Sequence, residues 1–120
     1  MKSRKIWIGR WLIGVALGHT LVGLMMGGSG LVKIAQQGLF NTVTAAEPLT
    51  RMVVWFLFCG AVLALLGMAV HALERSEHFG GARALGIGTA LVTLTGLILM
   101  PLSGFWLVIP PAIALMRRTD

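Results

Sequence analysis

From Ile6 to Gly28 the chain runs for about twenty residues with Arg10 and His19 as its only ionisable groups. An α-helix rises 1.5 Å per residue, so roughly 20 residues cross a hydrocarbon core of about 30 Å. Three more apolar segments follow within 120 residues. A chain patterned this way cannot fold around an ordinary soluble core. Hydrophobic residues make up 57% of it and charged residues 12%, about half the charged share of a soluble domain. Its 16 glycines suit membrane helices, where small residues let backbones approach closely. The expected fold is therefore all-α: an integral membrane four-helix bundle, up-and-down, forming a single transmembrane domain over residues 1–120.

Local signals divide the chain. The first helix, about 6–27, is expected to stop at Gly27-Gly28-Ser29-Gly30. In the loop that follows, Leu31, Val32, Ala35, Leu39 and Phe40 recur at roughly helical spacing among Lys33, Gln36 and Gln37. That pattern predicts a short interfacial helix in the first outer loop. The second helix, about 49–73, begins behind Pro48, well suited to a first turn. Glu74 to Gly81 reads as a polar turn, the third helix as about 82–100, and Pro101-Leu102-Ser103-Gly104 as a tight return. The fourth helix, about 105–116, is short and contains Pro110-Pro111.

Four spans place eight of the ten basic residues on one side, leaving Lys33 and Arg51 opposite. The bias of Lys and Arg toward the cytoplasm then predicts both termini inside, in a multi-pass protein of the cell inner membrane. On this reading the net charge of +6 belongs to helix ends facing a lipid bilayer, and nucleic acid is not an expected partner. The basic, apolar start resembles a signal peptide. Arg10 interrupts its core and no cleavage-like small residues follow in time, so it reads as an uncleaved helix. Cys59 stands alone and forms no intramolecular disulfide.

His19 in the first helix, Met100-Pro101-Leu102-Ser103-Gly104-Phe105-Trp106-Leu107 and Pro110-Pro111-Ala112 together resemble a family of small bacterial four-helix membrane proteins classed as a domain of unknown function. The resemblance covers nearly the full length. It implies the architecture and carries no activity.

The candidate site comes from counting depth. His19, Cys59, Thr93 and Pro110 fall within about a turn of one level. The two prolines remove helical N–H donors and leave the carbonyls of Trp106 and Leu107 without helical partners. Such groups in lipid must be paired or line a cavity. An imidazole N–H from His19 facing those carbonyls, with Thr89 and Thr93 as a polar stripe, forms the expected mid-membrane layer. The competing reading makes His19 purely structural and lets each threonine bond its own helix. Glu47 and Arg51, four apart, read either as an exposed ion pair or as a polar lip over the bundle. The ligand-binding candidates are thus His19, Thr89, Thr93, Trp106, Glu47 and Arg51.

Other chemistry is weaker. His71, Glu74 and His78 share helical spacing, but Ser76 and Gly80-Gly81 interrupt the helix and Arg75 disfavours a cation; a solvated helix end is expected, with no metal. His19 and His71 differ in depth by roughly 12–15 Å, too far to ligate one haem, and no cofactor is expected. Arg10, with Trp7 and Trp11, reads as an interfacial anchor in preference to a partner for Glu74 or Glu77. Gly14/Gly18 and Gly23/Gly27, with Gly60 and Gly67, offer close-packing faces within the unit or toward a second copy or a membrane-protein partner.

The function favoured is binding of, or action on, a small lipophilic molecule such as a quinone, isoprenoid or lipid. The alternative is an accessory or structural subunit of a membrane complex. Proton-coupled export by a small multidrug-type dimer is disfavoured, because the first helix carries no acidic residue.

Overall fold

The computed structural model describes residues 5–118. It is all-helical: α1 Ile8–Gln36, α2 Pro48–Arg75, α3 Ala82–Leu99, a 3-10 turn Gly104–Val108, and α4 Ile109–Arg117. The first three are long and apolar enough to cross a membrane; the 3-10 turn and α4 together form a shorter apolar helix.

The loop after the first helix differs from expectation. No separate interfacial helix forms there, because α1 continues through Gly27-Gly28-Ser29-Gly30 to Gln36 and absorbs most of that segment. A glycine stops a helix only where the chain takes a left-handed turn. Here Gly27 instead packs against Val53 of α2, where an added Cβ would lie 2.5 Å from both Val53 methyls. The turn comes later, at Gly38 with φ +91°. The amide of Gly38 bonds the Ala35 carbonyl and that of Leu39 the Ile34 carbonyl, the paired pattern that closes a helix C-terminus. Leu39 and Asn41 also hold positive φ, 70° and 51°.

Two antiparallel hairpins make up the molecule. In the first, α1 and α2 approach closely through Gly9, Gly23 and Gly27 on one side and Gly60 and Gly67 on the other. An added Cβ on Gly67 would fall 2.9 Å from the Ile13 nitrogen and 3.0 Å from the Gly9 carbonyl oxygen. In the second, Gly96 receives the ring of Phe105, and Gly86 receives Leu115 and Met116. The hairpins meet where α1 lies against the 3-10 turn and α4. Ile8, Leu12, Ala16, Val70, Phe79, Ala82, Ala112 and Leu115 are buried, so the core gathers at one end.

That end holds a buried charge. Glu74 is 3% exposed, and its carboxylate accepts the amides of Trp7 and Ile8 at 3.1 Å and of Gly9 at 2.6 Å. The first amides of a helix lack partners of their own; no side chain of the α1 cap supplies one, and Glu74 of α2 does. Arg118 approaches the same carboxylate at 3.7 Å and lies over the buried Phe79 ring, 5.1 Å from its centre. The solvated helix end expected over His71–His78 is corrected at Glu74, which is interior, while Ala72, Leu73 and Arg75 to His78 are exposed.

Candidate functional site

The two prolines of α4 do leave Trp106 and Leu107 without α-helical partners, but His19 is not what serves them. The Ile109 amide bonds the Trp106 carbonyl in 3-10 fashion. The indole N–H of Trp11 donates to the Leu107 carbonyl at 2.6 Å. Both orphaned acceptors are thus satisfied, one by a tighter turn and one across the hairpin interface.

His19 points toward α2 instead. Its Nε2 lies 2.8 Å from the Phe56 carbonyl oxygen, which can only accept, so Nε2 carries the proton. The ring stacks on Phe56 with centroids 3.8 Å apart and planes 10° from parallel. Gly60 makes this possible: a Cβ there would sit 3.0 Å from His19 Cδ2 and 2.7 Å from the Thr20 hydroxyl oxygen. The mid-membrane layer is accordingly not assembled. His19 belongs to the α1–α2 contact, Cys59 is exposed, and Thr93 lies on α3.

The remaining candidates lie apart from His19. Thr89 donates to the Leu85 carbonyl at 2.8 Å and Thr93 to that of Thr89 at 2.7 Å, so both hydroxyl protons are spent within α3. Trp106 is exposed and its indole N–H closes the return by bonding Pro101 O at 2.8 Å. Glu47 pairs with Lys33 at 3.1 Å rather than with Arg51, and Arg51 forms no ion pair among the described residues. Lys33 sits in the last turn of α1, so this pair ties the far ends of α1 and α2. Hydrogen bonding from Lys33 holds the Glu47 carboxyl below its ordinary range.

What the structure does bring together is an apolar cleft between α2 and α3. Its volume is about 470 Å³, and its lining includes Leu63 and Leu66 of α2, Leu85, Gly88, Thr89 and Thr93 of α3, and Leu12 and Phe105. A second hollow of about 390 Å³ follows α3 outward past Thr95 and Gly96 to Met100. The two share Val92 and Phe105. Their α3 lining runs from Ala84 to Met100, about 24 Å of helical rise. Every lining residue is uncharged. Leu63, Leu66, Leu85 and Phe105 are the residues the sequence reading missed, since apolar side chains in a membrane helix carry no mark of facing a cleft rather than lipid. Glu74 and Arg118 were missed too, although Glu74 continues the seven-residue spacing of Gly60 and Gly67 and so lies on the same face of α2.

A family model described as "Family of unknown function (DUF6463)" matches residues 3–120. No curated protein and no solved structure matches the chain.

Proposed function

We propose, for a chain that belongs to the DUF6463 family of unknown function, that the α2–α3 cleft binds the chain of a lipophilic molecule, an isoprenoid or acyl tail, drawn from the bilayer. The observation that carries the reading is the chemistry of the cleft: an open hollow of about 470 Å³ beside α3, uncharged throughout, with the Thr89 and Thr93 hydroxyl protons already bonded to their own helix. Binding sites for small molecules are concave and mostly apolar, and this hollow offers burial without a polar group that a hydrocarbon tail would leave unpaired. In this reading the protein is multi-pass in a cell inner membrane, with the basic end in the cytoplasm by the bias of Lys and Arg.

Mass spectrometry of small molecules that co-purify with the protein in nanodiscs tests it. Gly88 lines the cleft and has nothing within 4 Å of an added Cβ. Gly88→Phe therefore fills the hollow without forcing helices apart. The expected result is one lipophile retained by the wild type, lost in Gly88→Phe and kept in His19→Ala. Ordinary bilayer lipids alone, the same in all three samples, would sink the reading.

A second reading, an accessory subunit, rests on Gly14 and Gly18. Both face open space on α1, with nothing within 4 Å of an added Cβ. A partner helix could pack there as closely as α2 packs on Gly9 and Gly23. Co-purification of a stoichiometric membrane protein lost in Gly14→Leu would favour it.

A further inference from the structure

The end of the molecule that holds the core also carries a ring of cations that the fold leaves unmatched. Lys5, Arg10, Arg75, Arg83 and Arg117 are all exposed. Contacts place them together: Lys5 and Arg10 flank the α1 amides bonded to Glu74, Arg75 follows Glu74, Arg117 precedes Arg118, and Arg83 lies one turn before Gly86, which packs on Met116. Among the described residues none of the five is in an ion pair, and Glu77 is the one exposed carboxylate at this end. Glu74 cannot neutralise them, because its oxygens are engaged by three backbone amides and Arg118. The opposite end differs: Lys33 is matched by Glu47, leaving Arg51.

We infer that this collar binds the phosphodiester headgroups of anionic phospholipids. Arginine presents a fork of N–H donors that fits phosphate oxygens in pairs, and four of the five cations are arginines. The level is right for headgroups. Trp7 and Trp11 pack edge to face, 6.0 Å apart, on either side of Arg10 in sequence, and tryptophans concentrate where hydrocarbon meets headgroup. Burial of Glu74 serves this surface. It supplies α1 with its cap and at the same time takes a negative charge out of competition with lipid phosphate.

The test uses Trp7 and Trp11 as reporters in a W55F/W106F protein, reconstituted into vesicles with brominated phosphatidylglycerol or brominated phosphatidylcholine as quencher. Phosphatidylglycerol is expected to be enriched at the reporters by roughly fivefold or more, the effect of a single cation near an anionic surface. The preference falls toward unity in R10Q/R75Q and stays in R51Q. It also collapses in the unsubstituted collar at about 1 M salt, where the screening length is about 3 Å. Inorganic phosphate at tens of millimolar, judged against chloride of equal ionic strength, leaves it intact because the lipid surface itself concentrates the headgroups. Equal quenching by the two lipids overturns the inference, as does a preference that survives both high salt and R10Q/R75Q. Specific displacement by inorganic phosphate overturns it too, by assigning the collar to a free anion.

Discussion

Glu74 shows how one side chain serves several elements at once. A carboxylate near the C-terminus of its own helix faces an unfavourable dipole, yet here it lies against the N-terminus of α1, where the dipole favours it. Three amides and Arg118 surround it. Glu74→Ala strips the cap from α1 and removes the buried carboxylate beside Arg118, a loss of about 3–5 kcal/mol by the usual cost of breaking such a pair. Unfolding by increasing SDS in mixed micelles measures it, and Arg118→Ala should cost less, since the carboxylate keeps its amides. Trp11 makes a second test. Trp11→Phe keeps an aromatic ring but removes the donor to the exposed Leu107 carbonyl, and an acceptor left unpaired in hydrocarbon costs about 1–3 kcal/mol. An unchanged unfolding midpoint in Trp11→Phe would mean that lipid-facing water satisfies that carbonyl instead.

Among the helices, glycine position separates roles that glycine identity does not. Gly67 meets the backbone of Ile13 and Gly9, whereas Gly14 and Gly18 meet nothing. Gly67→Ala must spread α1 and α2 apart, because behind the Ile13 side chain the Ile13 nitrogen and the Gly9 carbonyl oxygen also stand in its way. Gly14→Ala fills open space and gains about 0.5–1 kcal/mol of helical preference. The two substitutions are thus expected to shift the unfolding midpoint in opposite directions. The Pro110-Pro111 pair works the same way: Pro111 is buried with Ala112 and Leu115, and a 3-10 turn before it absorbs the lost hydrogen bonds.

Across the whole molecule, the helices differ in reach. At 1.5 Å per residue α1 and α2 rise about 43 and 42 Å and α3 about 27 Å, so the first hairpin extends past the second. Its far end is fastened by Lys33–Glu47. Because the Glu47 carboxyl is held below its ordinary range, this pair stabilises the folded state at neutral pH, and the contribution disappears as pH falls through the lowered value. Glu47→Gln is expected to narrow the stability difference from wild type as pH drops through the carboxylate range, with high salt having the same effect. Hydrogen exchange of amides 37–47 against pH reads it locally. A difference that persists unchanged into acid would contradict the assignment.

Helix number and basic asymmetry follow from composition along the chain, because burying apolar residues in a bilayer is a property of each segment alone; the end of α1 at Gln36 does not. The same holds for the Pro101–Gly104 return and the start of α2 at Pro48. What the segments did with their polar groups was settled between helices. Gly27-Gly28-Ser29-Gly30 read as a stop, yet α1 passes through it because Val53 fills the space beside Gly27. His19 met Phe56 rather than α4, Trp11 took the carbonyl assigned to His19, and Glu47 found Lys33 rather than Arg51. Depth can be counted along a sequence, but the direction a side chain faces depends on which neighbour comes close. That neighbour is chosen by glycine contacts and by the single buried carboxylate that joins α1, α2 and Arg118.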